Sequence, residues 1–201
     1  MFDNVLVCGG MPRSGTTFLH TELMNYEKVF TSQIKEVYLF ERSSEFIDRK
    51  LRSVRKGKIH LDFTPEYAFN PQALKQIAER KINCFFVLRP YEDYRQSLNQ
   101  YLAQNKIENG FLSDMNEVQF KDHIDFVQDN FLTFTFDAVV NSTEATVRAI
   151  EHHFGLDLGK KVGRRVKTNS SSKRRHWLMA GISNKMNKPM RSLRSLAFGL
   201  I

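Results

Sequence analysis

The chain contains no apolar stretch of the roughly 18 residues that a membrane-spanning helix requires. Cysteine is scarce: Cys8 and Cys84 are the only two, and both fall inside apolar runs. A disulfide scaffold is thereby excluded, and two buried free thiols are expected. Acidic residues are outnumbered, 22 Asp and Glu against 30 Lys and Arg, which leaves a formal charge of +8. That balance favours anionic ligands, nucleic acid or acidic membrane surfaces without choosing among them. No internal repeat is visible. The N-terminus opens on a strand rather than a signal peptide, so the cytosol is the expected location.

Apolar residues make up 41% of the 201 positions and include seventeen Phe, enough to bury the core of one globular domain. Val5–Cys8 and Ile82–Leu88 are continuous apolar runs of the kind found in strands buried on both faces of a parallel sheet. Val29–Thr31, Ile59–Phe63 and Phe131–Phe136 read as further strands. Helices are expected over Thr16–Asn25, Ser43–Arg55, Pro71–Arg80, Tyr91–Gln104 and Asn116–Asp129, and over Ser142–Phe154 with Ser142 or Thr143 as its cap. Strands alternating with helices predict a three-layer α/β/α domain around a parallel sheet. Residues 1–159 form the core in this reading. Residues 160–201 are a basic segment followed by a helix, expected to pack on the same domain.

The most informative local feature is Gly10-Met-Pro-Arg-Ser-Gly15, between the first strand and the first helix. Glycines at this spacing let successive backbone N–H groups converge on a phosphate, and the helix N-terminus adds its positive dipole end. A nucleoside-triphosphate hydrolase would place lysine where this chain has Thr16; here the cation is Arg13, inside the loop. Arg13, Ser14, Gly15, Thr16 and Thr17 are the candidate anion-binding residues. The second feature ends the interior strand. A metal-binding Asp is common there in nucleotide hydrolases, whereas this chain has Arg89, with Ser97 about two helical turns further on. A cation and a hydroxyl suit a second phosphate.

These motifs resemble those of the sulfotransferases that use 3′-phosphoadenosine 5′-phosphosulfate (PAPS). Pro12-Arg-Ser-Gly-Thr-Thr17 is similar to the family's 5′-phosphosulfate loop. Leu88-Arg-Pro-Tyr-Glu-Asp-Tyr-Arg-Gln-Ser97 is similar to its 3′-phosphate motif, and Asp62-Phe-Thr-Pro-Glu-Tyr67 to the Thr-Pro-x-Tyr element of heparan-sulfate enzymes. The glycine loop itself looks most like that of tyrosylprotein sulfotransferases, and the resemblance runs in order from about Val5 to Leu158. It implies a P-loop-like sulfotransferase fold, PAPS as donor, adenosine 3′,5′-bisphosphate as product, no metal, and direct in-line transfer to a hydroxyl acceptor. It also implies that Arg89 and Ser97 grip the 3′-phosphate, that Arg13 stabilises charge in the transfer, and that Glu36 is the base. The family's late basic loop has no clean equivalent; Lys173 and Arg174 stand at about its place, where they read either as further 3′-phosphate contacts or as a solvated basic loop.

His60 competes with Glu36 for the base, because Ile59-His-Leu-Asp62 faintly echoes a segment of the cytosolic branch; Asp62 is a third, orienting carboxylate. One departure is Phe63, which stands where heparan-sulfate enzymes commonly carry lysine and reads as packing. The acceptor stays open among a small molecule, a glycan and a tyrosine. The runner-up readings are a magnesium-dependent P-loop kinase or NTPase using Asp137, and an anion- or nucleic-acid-binding module using the basic tail, although no nucleic acid is expected as a partner. Asn184–Ile201 carries Met186, Met190, Leu193, Leu196 and Phe198 at helical intervals. That pattern fits packing on its own domain, an anionic membrane surface or a partner subunit, and oligomeric state is not encoded legibly.

Overall fold

The computed structural model describes residues 2–30, 35–105 and 115–162. Five strands, β1 (Val5–Gly10), β2 (Val29–Phe30), β3 (Ile59–Phe63), β4 (Asn83–Leu88) and β5 (Leu132–Thr135), make one sheet in the order β2-β3-β1-β4-β5. Every neighbouring pair is parallel. Parallel strands need crossover connections. These contain α1 (Thr16–Leu23), α2 (Ser44–Arg52), α3 (Pro71–Glu79), α4 (Tyr91–Asn105) and α5 (Glu117–Asn130). After β5 come α6 (Phe136–Asn141) and α7 (Thr143–Phe154).

Alternation along the strands sends side chains to both faces, which is why Val5–Cys8 of β1 and Cys84–Leu88 of β4 are continuous apolar runs. Val5, Val7, Phe86 and Leu88 join Ile47 of α2, Ile77 of α3, Leu98 of α4 and Val127 of α5 in one core. Leu6, Cys8, Phe85 and Val87 join Leu19 of α1, Val139 of α6 and Ile150 of α7 in the other. The three-layer α/β/α architecture expected from the sequence is the one observed. Both cysteines are free and buried on adjacent strands, Cys84 beside Val7, and burial raises both thiols well above their usual range.

The chain departs from the sequence expectation at its connections. Phe136 begins a helix instead of ending a strand, because the Thr135 hydroxyl accepts the Ala138 N–H at 3.1 Å and caps α6. Ser142 occupies the N-cap of α7 without a side-chain bond, since α6 runs almost directly into α7. Two short 3₁₀ turns, Leu39–Glu41 and Pro65–Phe69, were not foreseen. Among the described residues no helix is long and apolar enough to cross a membrane. Lys173, Arg174 and the amphipathic stretch from Asn184 lie outside the described residues, as does nearly all of the 160–201 segment.

The sheet order fixes where a ligand can sit. From β1 the chain passes to β2 and β3 on one side, then crosses over to β4 and β5 on the other. The connections leaving β1 and β4 therefore diverge and open a crevice at the carboxyl ends of these two strands. The glycine loop follows β1, and Arg89 follows β4.

Candidate active site

Gly10 closes β1 with φ 148°, and a Cβ there would lie 2.5 Å from the Val87 carbonyl oxygen of β4. Only glycine fits this approach. Arg13 and Gly15 are both left-handed, φ 71° and 83°, and turn the chain on either side of Ser14. Ser14 is fully buried and works for the loop itself: its N–H and its hydroxyl both donate to the Met11 carbonyl, at 3.1 and 2.7 Å. Its side chain is thus a staple of the turn. Helix α1 starts at Thr16 with no side-chain cap and no acid in its first turn. Its leading N–H groups and dipole are left uncompensated, which suits an anion. Thr17 is exposed at this end, whereas Thr16 is buried.

Arg89 reaches back across the crevice. Its Nη1 donates to the Arg13 carbonyl at 3.0 Å, and its guanidinium lies over the Phe136 ring, 4.3 Å from the centroid. Its Nε is buried and has no hydrogen-bond partner among the described residues. A buried donor left unpaired is costly unless a ligand satisfies it. The exposed Arg13 side chain leans on α4, 5.2 Å from the centre of the Tyr101 ring. Tyr101 stands one helical turn beyond Ser97, which is half-buried on the same helix. The loop, both arginines and the helix that carries Ser97 therefore converge on one crevice. An uncapped helix end and an orphaned arginine donor suit an anionic, phosphate-bearing ligand.

Glu36 is held at the carboxyl end of the neighbouring strand. The Lys35 carbonyl accepts the Phe63 N–H of β3 at 3.3 Å. The buried Asp62 carboxylate accepts from the Thr64 and Tyr67 hydroxyls, both at 2.7 Å, and from the backbone N–H groups of Val37 and Leu39. Tyr67 in turn accepts the Phe40 N–H at 3.1 Å. Asp62 thus pins the segment that presents Glu36. Glu36 Oε1 pairs with Lys35 Nζ at 3.0 Å, its side chain 30% exposed and so able to meet an acceptor from solvent.

Two buried titratable groups surround this pair. Burial first, then the Glu36 charge, pushes the Glu66 carboxyl up to about 7, and its Oε2 has no hydrogen-bond partner among the described residues. Burial and the nearby Lys35 bring His20 of α1 down to about 4, against the opposing pull of Glu36. His20 is therefore a neutral imidazole at physiological pH, packed edge-on against Phe63 at 5.1 Å.

Comparison with solved structures locates this architecture. A sulfotransferase from Alicyclobacillus acidocaldarius superposes with a TM-score of 0.60 at 15% identity, over 90% of this chain and 91% of that one. The sulfotransferase domain of the curacin biosynthetic pathway gives 0.57 at 11% identity, over 79% and 76%. Mouse sulfotransferase SULT7A1, solved in complex with PAP, gives 0.56 at 13% identity, over 94% of this chain and 68% of that one. The chain has the sulfotransferase fold. No protein-family model matches it, and no curated protein matches it in sequence.

Not every expected residue of this sulfotransferase-fold crevice is gathered there. His60 pairs with Val5, the first residue of β1, and with Phe30 of β2, three residues before Phe63. Its Nε2 accepts the Arg55 N–H at 3.0 Å and its ring packs against Phe30. It stands away from the loop. Phe63 is fully buried between His20 and Phe85, as its packing role requires. Asp137 lies exposed in the first turn of α6. Sequence reasoning missed Lys35, Glu66, His20, Tyr101 and Phe136. Of these only Lys35 and Glu66 carried a local signal, sitting beside Glu36 and inside the Thr-Pro-x-Tyr element.

Proposed function

We propose that this protein is a PAPS-dependent sulfotransferase that acts on a hydroxyl acceptor, with motifs nearest to the tyrosylprotein and heparan-sulfate branches. The observation that carries the reading is the convergence of two arginines, Arg13 in the loop after β1 and Arg89 after β4, on one crevice, with the buried Arg89 Nε unpaired among the described residues. The complex of mouse SULT7A1 with PAP supports it, because that chain shares the fold.

Bound in this crevice, PAPS would supply a sulfuryl group carried on a 5′-phosphate leaving group. The N–H groups at the start of α1, with Arg13, hold the 5′ oxygens and stabilise the charge that gathers there. Arg89 and Ser97 take the 3′-phosphate, a group that ATP and GTP lack, and so select the donor. Glu36 accepts the proton of the acceptor hydroxyl as that oxygen forms its bond to sulfur. Lys35 holds the Glu36 carboxylate in place. It also brings an ammonium to the end of β3, near the position where heparan-sulfate enzymes carry a lysine and this chain has Phe63.

The test is release of adenosine 3′,5′-bisphosphate from PAPS in the presence of a panel of phenols, sugars and tyrosine peptides, in EDTA. Acceptor-dependent release supports the assignment. Magnesium-dependent loss of ATP, with no turnover of PAPS by any acceptor, would overturn it.

A further inference from the structure

Phe136 touches both phosphate-facing grips. The register of β5 on β4 sets Thr135 opposite Leu88, so the residues that follow, Phe136 and Arg89, leave the sheet side by side. The Arg89 guanidinium covers the Phe136 ring at 4.3 Å. Atoms Cδ2 and Cε2 of the same ring lie against Gly15, where an added Cβ would meet them at 3.1 and 3.2 Å. Arg89 closes the circuit by donating to the Arg13 carbonyl at 3.0 Å. Ring, guanidinium and loop thus brace one another, and the stretch they brace contains the two left-handed residues Arg13 and Gly15. For Arg13 that conformation is costly and needs outside support.

We propose that Phe136 is a positioning residue that couples the two grips, so that the 5′ loop and the 3′-phosphate arginine bind as one unit. The proposal rests on the reading that the crevice takes adenosine 3′,5′-bisphosphate. It adds something that reading does not require: a ligand with no 3′-phosphate still depends on the brace under Arg89. Loosening the ring frees the arginine to wander and the loop to leave its strained turn, and both losses are repaid as ligand affinity when the ring is present.

Phe136→Leu removes no charge, so any loss of affinity it causes is not the loss of a charge–charge attraction to the ligand. Binding of adenosine 3′,5′-bisphosphate, 5′-AMP and 3′-AMP is followed by NMR titration for the wild type, Phe136→Leu and Phe136→Tyr. The expected result is a loss of about 2- to 30-fold for both monophosphates in Phe136→Leu, the span of a cation–π contact. Phe136→Tyr should keep affinities within about twofold, because it preserves the aromatic face. If Phe136→Leu melts near the titration temperature, Phe136→Met replaces it. Unchanged 5′-AMP affinity beside a weakened 3′-AMP would show independent grips and overturn the proposal. Equal losses in the Leu and Tyr variants would reduce Phe136 to packing and overturn it too. A wild type that ignores adenosine 3′,5′-bisphosphate would instead sink the donor assignment on which the proposal stands.

Discussion

Replacing Glu66 by Gln should remove a large part of the pH dependence of folding stability. In the native protein the carboxyl is buried, its Oε2 has no partner among the described residues, and the Glu36 and Glu41 carboxylates lie near it, with Lys35 as the opposing charge. These surroundings lift it from 4.5 to about 7. Between those values the folded protein holds a proton that the unfolded chain has released, so stability falls as pH rises through this window. Below 4.5 both states are protonated and the penalty vanishes; above about 7 both are ionised and it is complete. The span corresponds to about 3 kcal/mol at 1.36 kcal/mol per pH unit. Asp62 and Glu41 are raised in the same direction, so the informative quantity is the difference between wild type and Glu66→Gln, not the wild-type slope. Urea unfolding of both proteins at pH 5 and pH 8 supplies it. Between these conditions the wild type should lose about 2 to 3 kcal/mol more than the variant. Parallel losses would refute the placement of Glu66 beside Glu36 in a dry pocket.

Glu36→Gln should keep calorimetric affinity for adenosine 3′,5′-bisphosphate within about twofold while lowering turnover at least about 100-fold, the contribution of a positioned base; a variant that retains activity would move the base elsewhere. Tyr67→Phe leaves the Asp62 carboxylate and the Phe40 N–H without their shared hydroxyl and should cost about 2 kcal/mol in chemical unfolding. A neutral result would show that the Tyr67 hydroxyl does not tie Asp62 to the Phe40 backbone. Gly10→Ala should unfold the protein or cost well over about 3 kcal/mol, because its Cβ meets the β4 backbone. Gly155→Ala, left-handed at φ 62° but facing open space, should cost only about 1 kcal/mol by thermal melting.

The elements that place the loop were legible because their causes are local. A continuous apolar run made β1 and β4, two glycines at fixed spacing made the turn, and Arg89 after Leu88 marked a strand end without a metal-binding acid. The rest depends on contacts between distant residues. Ser14 is a candidate anion-binding residue by its place in the loop, and the tight left-handed turn folds its hydroxyl onto Met11. Phe136 reads as the last residue of a strand over Phe131–Phe136, and a single threonine cap at Thr135 makes it a helix start facing Arg89. Glu66 reads as an ordinary acid in a Thr-Pro-x-Tyr segment; only the packing of that 3₁₀ turn shows that it is buried beside Glu36. His60 competes for the base only through a faint resemblance of Ile59-His-Leu-Asp62 to a cytosolic-branch segment, and strand register sets it opposite Val5, at the amino end of β3.

The most direct measurement is calorimetric titration of the wild type and of Arg89→Ala, in EDTA, with adenosine 3′,5′-bisphosphate and with ADP. The account predicts that wild type binds the bisphosphate and not ADP at the same concentration, and that Arg89→Ala loses most of that affinity. Equal binding of the two nucleotides, or bisphosphate affinity untouched by the loss of Arg89, would contradict it.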